Sequence, residues 1–232
     1  MRVRVAGRAE PVMADIFREI EDDVRRDKAA DVWKKHGPLL VGLAVLIVLA
    51  TAGWRAWVYY EDKRAEDAGA RFEAAIEASR SGDTAKAEQD FAAIAKDAPA
   101  GYERLARFRE AAENARIDPA KGIKAYEVLA TDTAQPQILR DLARLRAALL
   151  AVDSEPHDAL KTRLDPLLAA GNPWGPNARE LLGLAALNAG DYEGAGKLFD
   201  AIIVDRNAPP SLRQRADLLL GLVRSGPVKP AS

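Results

Sequence analysis

The chain of 232 residues contains no cysteine and only two histidines, and aromatic residues make up just 6% of it. The absence of cysteine excludes a disulfide framework, a cysteine-ligated metal site and a cysteine nucleophile. The two histidines, His36 and His157, lie far apart in the sequence, so a histidine-based metal or acid–base site is poorly supported. No charge is in excess, because 34 Lys and Arg face 35 Asp and Glu, and the net charge of −1 gives no indication of nucleic-acid binding.

Motifs that carry chemistry are missing as well. The sequence has no phosphate-binding loop, no nucleophile elbow and no dinucleotide-binding glycine motif. Its acidic clusters lack the alternating spacing and the glycine of a calcium loop. We therefore predict that the protein is not an enzyme and that it uses neither a cofactor nor a metal.

Alanine, in contrast, is abundant, at 46 of the 232 residues. Alanine has the highest helix propensity, and its small side chain allows helices to pack closely. We therefore predict an all-α fold.

One long apolar run interrupts an otherwise charged sequence. Residues 37–54 contain no charge, and nine of these 18 residues are Leu, Ile or Val. At ~1.5 Å per residue they span about 27 Å, close to the ~30 Å core of a bilayer. Aromatic residues, which favour the membrane interface, flank the run on both sides: Trp33, Trp54, Trp57, Tyr59 and Tyr60. The pattern predicts a transmembrane helix over residues 37–58, and the alternative is a buried core helix of a soluble protein.

The charges beside this run predict its orientation. Residues 22–36 contain five Lys or Arg, whereas residues 55–69 contain three, which favours a cytoplasmic N-terminus. A cleaved signal peptide is the rival interpretation, since Ala50-Thr51-Ala52 resembles a cleavage site. The long apolar core and the 36 residues before it favour an uncleaved signal-anchor.

The two ends of the chain have different sequence patterns. Asp15 is a suitable N-cap for a helix with Ile16, Ile20 and Val24 on one face, so residues 13–36 are predicted to form a cytosolic amphipathic helix. Met13-Ala14-Asp15 is typical of a natural start, and residues 1–12 are interpreted as a disordered arm or as sequence upstream of the true start. Residues 226–232 are predicted to be a disordered tail.

Two independent markers repeat with one period after the apolar run. Four prolines, at 99, 136, 173 and 209, are spaced by 37, 37 and 36 residues. Four small residues are spaced by 35, 37 and 36: Ala87, Gly122, Ala159 and Ala195. A shared period of this length predicts a helical solenoid. We expect about four helix pairs within residues 61–225, closed by a capping helix near residues 211–224.

The fourth period shows the pattern most clearly. A turn between two helices is predicted at Gly190-Asp191-Tyr192. The second helix then has apolar residues at helical spacing: Ala195, Phe199 and Ile202. The first period matches it with Gly82-Asp83, Ala87 and Phe91. The third is degenerate, because Arg163 follows Ala159 where a large apolar residue is expected. With Leu182-Gly183 on its first helix, the fourth unit resembles the tetratricopeptide repeat.

That resemblance implies a binding face lined by the first helix of each pair. Counting back from the turns gives eight candidate groove residues: Arg104, Arg107, Phe108, Asp141, Arg144, Leu145, Glu180 and Leu184. Mixed charge around Phe and Leu side chains suits an extended peptide or a helix of a partner protein. An ordinary salt-paired surface remains the alternative.

The complete arrangement resembles the ancillary SecYEG translocon subunit family (YfgM-like) of the bacterial inner membrane. The sequences MADIFRE at residues 13–19 and WKK at residues 33–35 carry this resemblance. It implies a single-pass inner-membrane protein with a periplasmic C-terminal domain, associated with the translocon, with periplasmic chaperones and with exported polypeptides. The balanced charge predicts no nucleic-acid partner. The resulting hypothesis is a membrane-anchored interaction module that assists exported proteins. The alternative is a tetratricopeptide scaffold for envelope assembly or division that has no translocon role.

Overall fold

The computed structural model describes the backbone of residues 10–226 and the side-chain environment of residues 33–226 apart from Ala100. Residues 1–9 and 227–232, which include most of the predicted arm and tail, lie outside the described residues, as do the side chains of the predicted amphipathic helix at residues 13–32. Within residues 10–226 every regular element is helical. The prediction of an all-α fold is therefore confirmed.

The first helix is far longer than expected. Helix α1 (Glu10–Arg80) passes without a break through the predicted cytosolic, membrane and solenoid segments, and Pro38 lies inside it. Between Pro38 and Arg80 the sequence has no further proline and only three separate glycines, Gly42, Gly53 and Gly69. A single glycine lowers helix stability by only about 1 kcal/mol, so the helix can continue through each of them. The expected boundary near residue 60 is therefore absent from the backbone, although the chain divides into two compact units between Asp62 and Lys63.

The apolar segment satisfies the criteria of a membrane span. Among the described residues one helix is long and apolar enough to cross a bilayer, with a mean hydropathy of 2.1 in an 18-residue window. Only 6% of that window is buried within the structure, which is unlike a core helix. Trp33 and Trp54 are separated by 21 residues, or about 31 Å of helix. This segment is a candidate membrane anchor.

The second unit contains four helix pairs and a cap, as predicted. We call the first helix of each pair the A helix and the second the B helix. The A helices are the part of α1 from Lys63 onward and α3 (Ala100–Ile117), α5 (Gln137–Ala151) and α7 (Gly175–Asn188). The B helices are α2 (Thr84–Asp97), α4 (Pro119–Thr131), α6 (His157–Leu164) and α8 (Tyr192–Val204). Helix α9 (Pro210–Ser225) is the capping helix, and a 3₁₀ turn, η1 (Asp165–Leu168), follows α6.

The predicted turns form for the expected physical reason. Gly82 and Gly190 have φ of 89° and 80°, in the left-handed region that glycine occupies without steric cost. The following aspartates cap the B helices: Asp83 accepts a hydrogen bond from the amide of Lys86, and Asp191 accepts one from Gly194. Each glycine–aspartate pair therefore ends one helix and starts the next.

Small residues allow the two helices of each pair to approach closely. Four residues on the A helices, spaced by 36, are buried: Ala75, Ala111, Ala147 and Gly183. A Cβ atom added to Gly183 would lie 2.5 Å from the ring of Phe199 on the B helix. The aromatic ring of the fourth pair therefore occupies the space that a methyl group would fill.

The third pair departs from the predicted register. Ala159, expected in the core, is exposed, and Leu160 and Leu164 are fully buried instead. Pro166 contributes to the short helix, since a proline has no amide N–H to donate to the carbonyl four residues earlier, and the chain continues as η1. Leu167 in that turn completes the core. The pair is thus packed through positions one residue later than the repeat predicts.

Candidate functional site

A groove lies across the A helices of the first three pairs. It has a volume of about 480 Å³, and all its lining residues except Tyr126 come from α1, α3 and α5. Six apolar side chains line it: Phe72, Leu105, Phe108, Ala112, Leu139 and Leu142. We call this feature the A-helix groove. It lies on the helices that the repeat resemblance predicts to form the binding face.

Aromatic contacts hold the groove wall in place. The rings of Phe72 and Phe91 meet edge to face with centroids 5.2 Å apart, and Phe108 lies 6.2 Å from Tyr126. Phe91 and Tyr126 are buried on B helices. The groove side chains on α1 and α3 are therefore anchored from behind by the core of each pair, while Leu105 remains 56% exposed.

Three arginines line the same groove: Arg104 and Arg109 on α3, and Arg146 on α5. Burial raises the pKa of the Tyr126 hydroxyl, and the positive charges of Arg146 and Arg109 act in the opposite direction. Two arginines of successive pairs therefore act on one side chain. The groove combines an apolar floor with positive charge.

Of the eight residues predicted for the groove, the structure places Arg104 and Phe108 in its lining. Arg107 points elsewhere, because its guanidinium lies 2.6 Å from the Asp132 carboxylate at the end of α4. Arg144 pairs with Asp141 at 2.7 Å, and Asp141 also accepts a hydrogen bond from Asn172 in the loop before α7. These contacts hold neighbouring elements together.

The remaining three predicted residues also serve packing. Leu145 packs against the core cluster around Leu160, and Leu184 packs against the cluster around Phe199. Glu180 accepts two hydrogen bonds from Arg215 of the capping helix, at 2.8 and 3.0 Å. Their contacts lie in the third and fourth pairs and with the capping helix, outside the A-helix groove.

The predicted membrane-interface residues are exposed on α1. Trp33, Trp54, Trp57, Tyr59 and Tyr60 each expose more than half of their surface. The rings of Trp54 and Trp57 lie 5.4 Å apart. Exposed rings in this number are costly in water and favourable at a headgroup layer.

Sequence reasoning missed a repeated ion pair. An arginine on the A helix meets an aspartate at the end of its own B helix in three pairs: Arg71 with Asp97, Arg107 with Asp132, and Arg179 with Asp205. The three arginines differ by 36 or by twice 36 positions, so the repeat period could have revealed them. We call these contacts the Arg–Asp braces. An arginine at a helix C-terminus also interacts favourably with the helix dipole.

The acidic and histidine side chains of the described residues are the candidates for binding a metal ion. Over the part of the chain that the structure describes, no group of three or more His, Cys, Asp or Glu is arranged to hold a metal ion. The chemistry of the groove is that of a binding surface, with apolar area and cationic donors.

A model of a tetratricopeptide repeat-like domain matches residues 31–209. The chain belongs to this tetratricopeptide repeat-like family. The matched region takes in the apolar segment and all four helix pairs and ends as α9 begins. No curated protein and no solved structure matches the chain significantly. Repeat domains of this class are generally non-catalytic and present extended surfaces to other proteins.

Proposed function

We propose that this protein is a single-pass, membrane-anchored interaction module that binds other polypeptides in the A-helix groove. One observation carries the proposal: the chain that contains an exposed, uncharged helical segment also contains a groove with exposed apolar side chains and arginines. The family match supports the combination of the two segments, since its range includes both.

The proposed setting is the bacterial inner membrane, with the N-terminus in the cytoplasm and the solenoid in the periplasm. The excess of Lys and Arg before the apolar segment supports this orientation. The topology is tested by adding protease to osmotically opened cells. We expect digestion of the solenoid beyond Tyr60, and full protection of that region would reverse the orientation.

The proposed role is assistance to exported proteins at the Sec translocon, together with periplasmic chaperones. Its support is the resemblance of the N-terminal sequence and of the arrangement of segments to the ancillary translocon subunits. The test is affinity purification of the full-length protein from native membranes in mild detergent, with partners quantified by mass spectrometry.

Near-stoichiometric recovery of translocon subunits and periplasmic chaperones is the expected result. Recovery of division or wall-assembly proteins without the translocon would contradict the export role and favour an envelope scaffold. A Leu105→Ala/Phe108→Ala variant connects either result to the groove. Because these side chains line the groove, the variant should lose the partners, while Leu218→Ala on the exposed face of α9 should retain them.

A further inference from the structure

We infer that the A-helix groove accepts an acidic amphipathic helix from another protein, with apolar side chains on its floor and carboxylates paired with Arg104, Arg109 and Arg146. This inference rests on the proposed function, in which the same groove is the binding face. It adds the chemistry of the partner, which neither the fold nor the family specifies.

The three arginines carry positive charge that the solenoid itself does not neutralise. Among the described residues, no carboxylate lies within the 4.0 Å ion-pair distance of any of them, and no Asp or Glu lines the groove. Arg107, Arg163 and Arg179, in contrast, each pair with a carboxylate of the solenoid. Guanidinium groups without an ion pair, beside the exposed Leu105, favour a partner that brings its own carboxylates.

Glu113, whose negative charge raises the pKa of Tyr126 as burial does, already has partners within the solenoid. Glu113 is 2% exposed, accepts a hydrogen bond from Ser79 at 2.6 Å and pairs with Arg116 at 2.9 Å. Both oxygens of its carboxylate are therefore occupied by Ser79 and Arg116. Arg109, one helical turn earlier on α3, remains available to a ligand.

The floor of the groove suits one apolar face of a helix. The volume of about 480 Å³ falls within the range of ~300–1,000 Å³ that is typical of binding clefts. Leu105 on α3 is 56% exposed, and Leu142 lines the same groove from α5. An amphipathic helix can place apolar anchors on both leucines.

The groove places an arginine beside a leucine on each of two successive A helices. Leu105 and Arg109 are four residues apart on α3, and Leu142 and Arg146 are four residues apart on α5, so the two members of each couple share a helix face. A helix that lies across α3 and α5 can therefore place an apolar side chain and a carboxylate on each of them.

Two segments outside the described part are not suited to the role. Residues 1–9 and 227–232 contain no Asp or Glu. They carry Arg and Lys instead, which the groove arginines repel. These two segments therefore do not supply the carboxylates.

A designed peptide tests the chemistry directly. The probe is a helical peptide with leucines on one face and glutamates at i and i+7 beside them, titrated against the full-length protein in lipid nanodiscs. Empty nanodiscs measure partition into lipid. We expect saturable binding of the Leu/Glu peptide, about tenfold weaker binding of a Leu/Gln peptide, and no specific binding of a Leu/Lys peptide.

Variants locate the binding. Arg109→Gln/Arg146→Gln should raise the Kd of the Leu/Glu peptide about tenfold and flatten its dependence on salt. The matched control, Arg80→Gln/Arg206→Gln, removes the same charge from exposed positions outside the groove and should change the Kd less than about twofold. Equal binding of the Leu/Glu and Leu/Gln peptides, or equal effects of the two double variants, would overturn the inference.

The proposed function can fail independently. If the peptides bind through the arginines but the groove makes no contact with any protein in native membranes, the inference stands and the interaction role is wrong. If native partners contact the groove but the Leu/Glu peptide does not bind there, the role stands and the acidic partner is wrong.

Discussion

The fourth and third helix pairs occupy the same period but are built differently. In the fourth, Phe199 fills the space left by Gly183 and is fully buried. In the third, the positions 36 residues earlier are Ala147 and Arg163, and the core is made by Leu160 and Leu164. The two pairs therefore share the placement of their helices, but they differ in the side chains that fill the space between these helices.

Electrostatics replaces part of the missing packing in the third pair. The guanidinium of Arg163 lies 2.6 Å from Glu155 and 2.8 Å from Glu127 of the preceding B helix. The same residue that breaks the apolar pattern thus connects two pairs. The difference teaches that a position that departs from the repeat pattern can still hold the solenoid together.

Among the substitutions that test this comparison, Phe199→Ala should cause the largest loss of unfolding free energy. The ring is fully buried in the fourth pair, so its removal should cost roughly 3–5 kcal/mol of unfolding free energy. Hydrogen exchange of the amides in α7 to α9, measured on the full-length protein in detergent, reports this loss. A cost below about 1 kcal/mol would contradict the packing described for the fourth pair.

Gly183→Ala should come next. Alanine improves helix propensity by about 1 kcal/mol, but its Cβ would lie 2.5 Å from the Phe199 ring, so we expect a net loss of about 1–3 kcal/mol. Ala147→Gly in the third pair is the reverse change. Its cost should be about 1 kcal/mol, through lost propensity and lost burial. Stabilisation by Gly183→Ala would refute the close approach of α7 and α8.

Arg163→Ala sharpens the contrast at the position equivalent to Phe199. The part-buried carboxylate of Glu155 and the exposed carboxylate of Glu127 would lose their partner, so we expect a cost of about 1 kcal/mol, smaller than that of Phe199→Ala. Lys161→Ala, an exposed change on the same helix, is the control. Both variants are measured by urea unfolding. An equal loss of unfolding free energy would mean that the ion pairs of Arg163 do not connect the second and third helix pairs.

Asp132→Asn should give the smallest effect, and the effect should depend on pH. The hydrogen bond from Arg107, with that from the Ala134 amide, holds the pKa of Asp132 below its ordinary value. A carboxyl with a lowered pKa stabilises the fold above its unfolded pKa, and this contribution is lost as the pH falls through the folded pKa. The difference between the wild type and Asp132→Asn should therefore be full at pH 6 and shrink below about pH 4.

The midpoint of urea unfolding at several pH values measures this effect, and Asp200→Asn is the exposed control. A difference that grows towards low pH would contradict the role assigned to the Arg–Asp brace in the second pair. The third pair has no such brace among its described residues, so it provides the comparison for the other three.

The sequence was sufficient for much of the fold. The 36-residue period, the turns at Gly82 and Gly190 and the buried Ala87, Phe91, Ala195 and Phe199 were all predicted and are confirmed. These signals are local, since each depends on glycine conformation, capping or helical spacing. The continuity of α1 was not predicted, because no residue in the sequence indicates whether two neighbouring helical segments form one helix or two.

The groove was harder to predict, because helical spacing gives the face of a helix only to within a residue or two. Arg107 and Arg144 lie beside groove positions, yet they turn to Asp132 and Asp141. Arg109 and Arg146, two positions further along each helix, line the groove instead. Which arginine pairs and which stays available depends on carboxylates that lie distant in the sequence.

The most direct test of the account is photocrosslinking from the A-helix groove in native membranes. A photoreactive amino acid replaces Leu105 in the groove or, as a matched exposed control, Leu218 on α9. The account predicts adducts with translocon subunits or periplasmic chaperones from position 105 and not from position 218. Adducts from position 218 alone, or adducts from position 105 only with division or wall-assembly proteins, would contradict it.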